Sequence, residues 1–415
     1  MLPGLTPVAF TRSSIDVARY PRSQNRSIAW FSTASGSNSR GLGMGETYMS
    51  DHSRTTGRRL PATGPGRPAG PGREQRRPCR NGPVRLSAVM RRTSLVTRGS
   101  SPLAPVRADG DDGWMRRDLV LVGAPTSAGS YAPGQEAAPS VLRELGLIDR
   151  LRAAGRRVRD AGDGPLHVWA PDPQHPRAQN LAAVVQAVRA VADHVAGALE
   201  EDADVLVIGG NCTVALGVMA ALTARDPDAG LLYIDRHFDL NTPASTHEGA
   251  LDWMGLAHGL DLPGAAEPLA AAFAHRPLLT PDRIHLLGID PEAATPWERE
   301  QARGLGLRWG SHLDLATTPG TEVSRALGTL PSGPLAVHLD VDVLDFTDAP
   351  LAESTDGRNS GPTLDALSEA LDTACRDPRF RALSICELNP SRAAGHPAVL
   401  HRFAASLQHV LRATP

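Results

Sequence analysis

The sequence predicts an α/β domain built on a mostly parallel sheet. Three observations predict it. Short apolar runs alternate along the chain with segments of helical periodicity. The runs are continuously apolar rather than alternating, as strands are when helices cover both faces of a sheet. One run after another ends in a carboxylate or a pair of glycines, the pattern of the ligand-bearing edge of an open parallel sheet.

The elements follow in order. Leu119-Val-Leu-Val122 is a buried strand running into Gly123-Ala-Pro125. Pro139-Ser-Val-Leu-Arg-Glu-Leu145 starts a helix, with proline in its first turn. Residues 178–202 keep apolar positions at helical spacing, interrupted only by Gly197, and predict a long helix. Asp204-Val-Leu-Val-Ile-Gly-Gly210 is a strand ending in glycines, followed by a helix from Val214 to Ala224. Further strands are Gly230-Leu-Leu-Tyr-Ile-Asp235, Arg283–Asp290, Leu335–Asp340 and Ala382–Glu387. Helices are expected around 292–304, 320–329, 363–376 and 397–412.

Charge divides the chain. Residues 1–117 hold 20 Arg against 7 acids, and the rest holds 23 Arg against 38 acids. The first part is also rich in Gly, Pro and Ser, with little apolar surface to offset its ordering entropy. We read residues 1–114 as a disordered extension, with Met115 as an alternative start, and residues 115–415 as the folded body. An organelle-targeting or nucleic-acid-binding arm would also be Arg-rich. No aromatic interleaving accompanies the arginines, so no nucleic-acid partner is expected. All 43 basic residues are Arg, which excludes Schiff-base and phosphate-loop chemistry needing a lysine. No run of about 18 apolar residues was found, so no membrane span is expected. Four cysteines without a Cys-x-x-Cys pair fit neither a disulfide framework nor a structural zinc site, and point to a reducing, cytoplasmic setting.

The chemistry gathers where strands end. Asp235, Asp290, Asp340 and Glu387 each close or follow a strand. Acids converging from separate strands repel one another unless a cation neutralises them. Asp235-Arg-His237-Phe-Asp239 places three donors on alternate residues, which face one way if the segment is extended. Asp340-Val-Asp342 repeats the spacing. Either motif alone also fits a helix cap or a solvated loop. Together they form an O/N set suited to Mn, Mg and similar ions, with room for a two-metal centre.

These blocks resemble the ureohydrolases, the family of arginase and agmatinase. The resemblance spans about residues 118–412. Gly123-Ala-Pro125 and Ala138-Pro-Ser-Val-Leu-Arg143 look like the family's opening strand and helix. Gly209-Gly-Asn-Cys-Thr213 stands where the family has Gly-Gly-Asp-His-Ser. Asp235-Arg-His-Phe-Asp-Leu-Asn-Thr-Pro243, Asp340-Val-Asp-Val-Leu-Asp345 and Glu387-Leu-Asn-Pro390 match three further blocks in the family's order. The resemblance implies a three-layer α/β/α fold, homo-oligomers, and a metal-dependent hydrolase of linear guanidines or amidines. In such an enzyme a metal-bridging hydroxide attacks the guanidinium carbon and releases urea. It implies two divalent metal ions, most simply Mn, held by Asp235, His237, Asp239, Asp340 and Asp342. It also implies that Glu387 pairs with the guanidinium, and that Asp290 and Asn241 contact the rest of the substrate.

Three departures qualify the match. Cys212 replaces the family's first ligand histidine, and Asn211 the aspartate beside it. As a ligand Cys212 would shift preference toward Zn, Fe, Co or Ni; as a small buried residue it would do nothing. Asp252 stands where the family's proton-shuttling histidine is expected, with His247 and His258 nearby. Asp252 would act as an acid or base if burial raised its pKa, or would cap a helix. Glu248 stands near a serine that meets the substrate carboxylate in arginases, which argues against free arginine as substrate. The lost histidines also fit a catalytically impaired member acting as a metal- or small-molecule-binding protein. A deacetylase-like hydrolase would suit the metal ligands but not the Glu-x-Asn-Pro block.

Overall fold

The apolar runs assemble into one eight-stranded parallel sheet in the computed structural model, which describes residues 116–353 and 359–413. The strands are β1 (Leu119–Gly123), β2 (Val158–Asp163), β3 (Asp204–Ile208), β4 (Gly230–Ile234), β5 (Ile284–Ile289), β6 (Arg308–Ser311), β7 (Leu335–Asp340) and β8 (Phe380–Cys386). Their spatial order is β2-β1-β3-β8-β7-β4-β5-β6. The extension expected over residues 1–114 lies outside the described residues.

Alternate residues of the same strands feed two separate cores. Val120, Val122, Val205, Val207, Leu231 and Tyr233 pack under the helices Leu181–Glu200 and Val214–Arg225. Leu119, Leu121, Leu206, Ile208, Leu232 and Ile234 pack on the other face, with the helices Ala138–Glu144, Leu364–Cys375 and Ala398–Val410. This is the three-layer α/β/α arrangement. Burying each of these Val, Leu or Ile side chains is worth roughly 1.5–3 kcal/mol, and the inner strands are buried along their whole length.

Two strands were not foreseen. β2 and β6 are the outer strands of the sheet. They carry Arg159, Asp160 and Asp163, and Arg308 and Ser311, so neither shows an apolar run. The long helix expected over 178–202 is Leu181–Glu200. By length and composition it is apolar enough to cross a membrane. Its Val184, Val188, Val191 and Val195 ridge is nonetheless buried in the first core, and Arg189 and Asp193 lie exposed. That pattern is an amphipathic helix covering a sheet.

Candidate metal and substrate site

The four strands β3, β8, β7 and β4 are neighbours, and each delivers its polar residues at its carboxyl end. β3 runs into Gly209 and Gly210, with φ of 98° and 84°. A Cβ on Gly209 would stand 2.9 Å from the Ala124 carbonyl oxygen, so the turn needs glycine. It carries Cys212 into the acid cluster, with Sγ 3.1 Å from Asp340 Oδ2. Asn211 serves the turn itself: its Oδ1 accepts from the Thr213 hydroxyl at 2.6 Å.

Backbone amides aim the acids. Asp235 Oδ1 accepts from the His237 amide at 2.6 Å, and Asp340 Oδ1 from the Asp342 amide at 2.7 Å. His237 Nδ1 lies 3.1 Å from Asp342 Oδ2 and 3.4 Å from Asp235 Oδ1. The segment after β4 is not the straight extended run anticipated. Asp239 adopts φ of 53°, and the Tyr233 hydroxyl donates to its Oδ2 at 2.5 Å. Glu387 is likewise left-handed, with φ of 61°. Such backbone is uncommon outside glycine and clusters at functional sites.

The donors fall into three overlapping sets: Asp235, His237, Asp340 and Asp342; Cys212, Asp235 and Asp239; and Cys212, Asp340 and Glu387. Within each set one ligand atom per residue lies within 4.8 Å of the others. Burial pushes the Asp235 carboxyl up to about 6. Burial, then neighbouring carboxylates, raise Asp239, Asp340 and Glu387 well above the usual range. Burial opposes protonation of His237, but Asp342 and Asp235 outweigh it and hold the imidazole well above its ordinary value. Asp235 Oδ2 and Glu387 Oε1 are buried without a hydrogen-bond partner. Clustered acids with orphaned oxygens and a proton held between carboxylates are what a divalent cation would relieve. The residues therefore fit such an ion.

A cavity of about 690 Å³ opens onto this cluster. Cys212, His237, Asp239, Asp340, Asp342 and Glu387 line its floor, and Tyr131, Gln179, His247, Glu248, Asp252, Trp253 and Glu298 are among its other lining residues. Among the described residues, no arginine lines it. Asp252 opens a short turn of helix, Asp252–Met254, where its Oδ1 accepts from the Trp253 amide at 2.8 Å. Burial pushes its pKa up to about 7.

Other expected residues sit elsewhere. Asn241 is fully buried outside the cavity lining, with Oδ1 accepting from the Thr295 and Ser245 hydroxyls. Asp290 is also outside the lining, paired with the buried Arg236 at 3.2 Å. Arg236 further donates to the Asp342 carbonyl and to Ser360. His258 has both ring nitrogens engaged, with the Met254 carbonyl at 2.7 Å and the Ala266 amide at 3.0 Å. His338, which strand parity places with Asp340, stacks on Tyr233 at 4.4 Å and bonds the Ser384 hydroxyl. Sequence reasoning did not single out Gln135, Ser130, Tyr233, Arg236, Trp253 or Glu298. Among them, only Glu298 left a readable trace, as the last residue of a Thr295-x-x-Glu capping box.

A parallel sheet with an acidic, metal-competent cluster at its strand ends defines a metal-binding α/β protein of the hydrolase type. Comparison with known proteins then names the family. The arginase family model matches residues 117–408, and the chain belongs to that family. Human arginase-1 is 28% identical over 283 residues, covering 66% of this chain and 86% of its own length. The solved arginase of Bacillus caldovelox superposes with a TM-score of 0.63 at 22% identity, over 71% of this chain and 98% of that one. Proclavaminate amidino hydrolase of Streptomyces clavuligerus superposes with a TM-score of 0.53 at 20% identity, over 73% of this chain and 94% of that one. The chain is thus an arginase-family hydrolase with a metal-binding cluster, and neighbours of different names share its fold.

Proposed function

We propose that the chain hydrolyses a C–N bond of a linear guanidine or amidine that carries no carboxylate near the reacting group. The observation that carries this reading is the cavity itself. Glu387, with an orphaned oxygen, faces the metal cluster, while Glu248, Asp252 and Glu298 line the remainder, and no arginine is among the described lining residues. A cationic guanidinium is attracted by such a lining, and an anionic tail is repelled.

Asp235, His237, Asp239, Asp340, Asp342 and Cys212 would hold two divalent ions. Manganese suits the carboxylate majority, and Zn, Fe, Co or Ni would gain from the thiolate. Ions there would acidify water and supply a nucleophile near neutral pH. Glu387 orients the guanidinium through a charge-assisted bond. Asp252 takes up the proton released from the water and returns it to the leaving nitrogen. Trp253 and Tyr131 add aromatic surface to the lining.

The test is elemental analysis of the full chain expressed with Mn, Fe, Co, Ni and Zn supplied, followed by a panel of guanidines and amidines assayed for urea or ammonia. About two ions per chain and turnover of a carboxylate-free guanidine are expected. Asp340→Asn should remove most of the metal and the activity. Metal retained in that variant, or turnover confined to carboxylate-bearing guanidines, would overturn the reading.

A further inference from the structure

Glu387 does not face the cavity unaided. Its Oε2 accepts a hydrogen bond from the Gln135 side-chain amide. The same amide nitrogen donates to the Ser130 hydroxyl at 3.1 Å, and Ser130 stands near enough to Asp252 to favour its ionised form against the larger effect of burial. Gln135 and Ser130 are both fully buried. The amide nitrogen faces Glu387, the orientation an ionised carboxylate requires, because the flipped form would set a carbonyl oxygen against it.

The turn that presents Gln135 is also fixed. Gly134 has φ of 137°, and a Cβ there would stand 2.2 Å from Asn389 Nδ2. The loop is therefore moulded on the Glu387-Leu-Asn389 segment at two consecutive residues.

The geometry points to Gln135 as a positioning residue that sets which oxygen of Glu387 meets the substrate cation. This rests on the proposed reading of the cavity. With Oε2 held by Gln135, Oε1 is left without a protein partner. The choice of amide matters. An arginine at this place would neutralise Glu387 and compete with a guanidinium, whereas a neutral donor orients the carboxylate and leaves its charge to the substrate. Ser130, bonded to the same amide, also neighbours Asp252, so the residue that binds the cation and the residue that handles the proton border one buried pair.

The test uses the manganese-loaded full chain and propylguanidine as probe, with affinity read by calorimetry and bound metal by elemental analysis. Gln135→Met keeps the length of the side chain and removes the donor. It should weaken propylguanidine about tenfold or more, the loss of one hydrogen bond to a charged group, with metal content unchanged. In turnover, KM should rise by a larger factor than kcat falls. If Q135M does not fold, Gln135→Asn, which keeps the amide but falls one carbon short of Glu387, should show the same loss. Affinity equal to the parent in either variant would mean that Gln135 only fills space. Metal lost in step with affinity would mean that it only supports the fold. Either result overturns the proposal. A parent chain that holds metal yet binds no propylguanidine would overturn the proposed function, and this inference with it.

Discussion

Cys212 Sγ lies 3.1 Å from Asp340 Oδ2, bridging the ends of β3 and β7 at the floor of the cavity. Burial, then the surrounding carboxylates, hold the thiol well above its ordinary pKa. A thiolate forms there only if a cation balances it. Cys212 belongs to two of the three donor sets, so Cys212→Ala should lower bound metal from about two ions per chain toward one. The loss should be larger for Zn than for Mn, because the thiolate is the soft ligand. Elemental analysis of the variant loaded with each metal reads this directly, and equal content in parent and variant would remove Cys212 from the ligand set.

Asp252 governs a different quantity. Its pKa is pushed up to about 7 by burial. The proposed role needs the ionised form to accept a proton, so kcat/KM should rise with pH through about 7. Asp252→Asn should flatten that limb and lower the rate roughly 10²- to 10⁴-fold. A limb that persists near pH 7 in the variant would assign it to another group.

Arg236 holds three segments together. It is 1% exposed, pairs with Asp290 after β5, and reaches the Asp342 carbonyl and Ser360. Removing one partner of a buried pair leaves a charge without compensation, typically at a cost of about 3–5 kcal/mol. Asp290 keeps some exposure, so Arg236→Met should cost about 2–4 kcal/mol. The double variant R236M/D290N should recover part of that loss. Urea unfolding of the four proteins of the cycle measures the coupling. Strict additivity would show that the pair is incidental.

The central architecture was legible because its signals are local. Strands covered on both faces are continuous apolar runs, and Asp235, Asp340 and Glu387 follow them directly. The edge strands β2 and β6 were not legible, because an outer strand can be polar. The supporting residues were hidden for another reason. Gln135 and Glu387 are 252 positions apart, and no periodicity or spacing links them. Arg236 sat inside a recognised motif, but its partners lie 54 to 124 positions downstream. Asn241 and Asp290 were read by position in a block, and position does not report that a neighbouring side chain has already engaged them.

Glu248 should set discrimination rather than rate. It lines the cavity beside His247, and His247 is joined to Arg177 at 3.1 Å. Glu248→Ala would remove a negative charge and leave Arg177 as the nearby cation. Carboxylate-bearing guanidines should then gain about tenfold in kcat/KM relative to carboxylate-free ones, about 1.4 kcal/mol. Competition between the two substrate types, scored by product, gives the ratio. An unchanged ratio would place Glu248 too far from the substrate to matter.

Acid should weaken the fold through His258. His258 is 1% exposed, and burial lowers its pKa from 6.5 to about 4. Its Nε2 accepts from the Ala266 amide at 3.0 Å, a bond that needs that nitrogen unprotonated, so its ring proton sits on Nδ1 facing the Met254 carbonyl. Between about pH 6.5 and 4 the unfolded chain therefore binds a proton at this residue that the folded chain does not. Stability rises with pH wherever the unfolded state holds more protons. His258 accordingly costs the fold nothing above about pH 6.5 and progressively more as pH falls toward 4, up to about 3 kcal/mol. His258→Gln removes the titration while keeping a polar side chain. It should be less stable than the parent at pH 7.5, where a well-fitted pair of hydrogen bonds is lost, and should lose less on acidification to pH 4.5. Urea unfolding at the two pH values decides it, and parallel losses in parent and variant would place the acid sensitivity elsewhere in the chain.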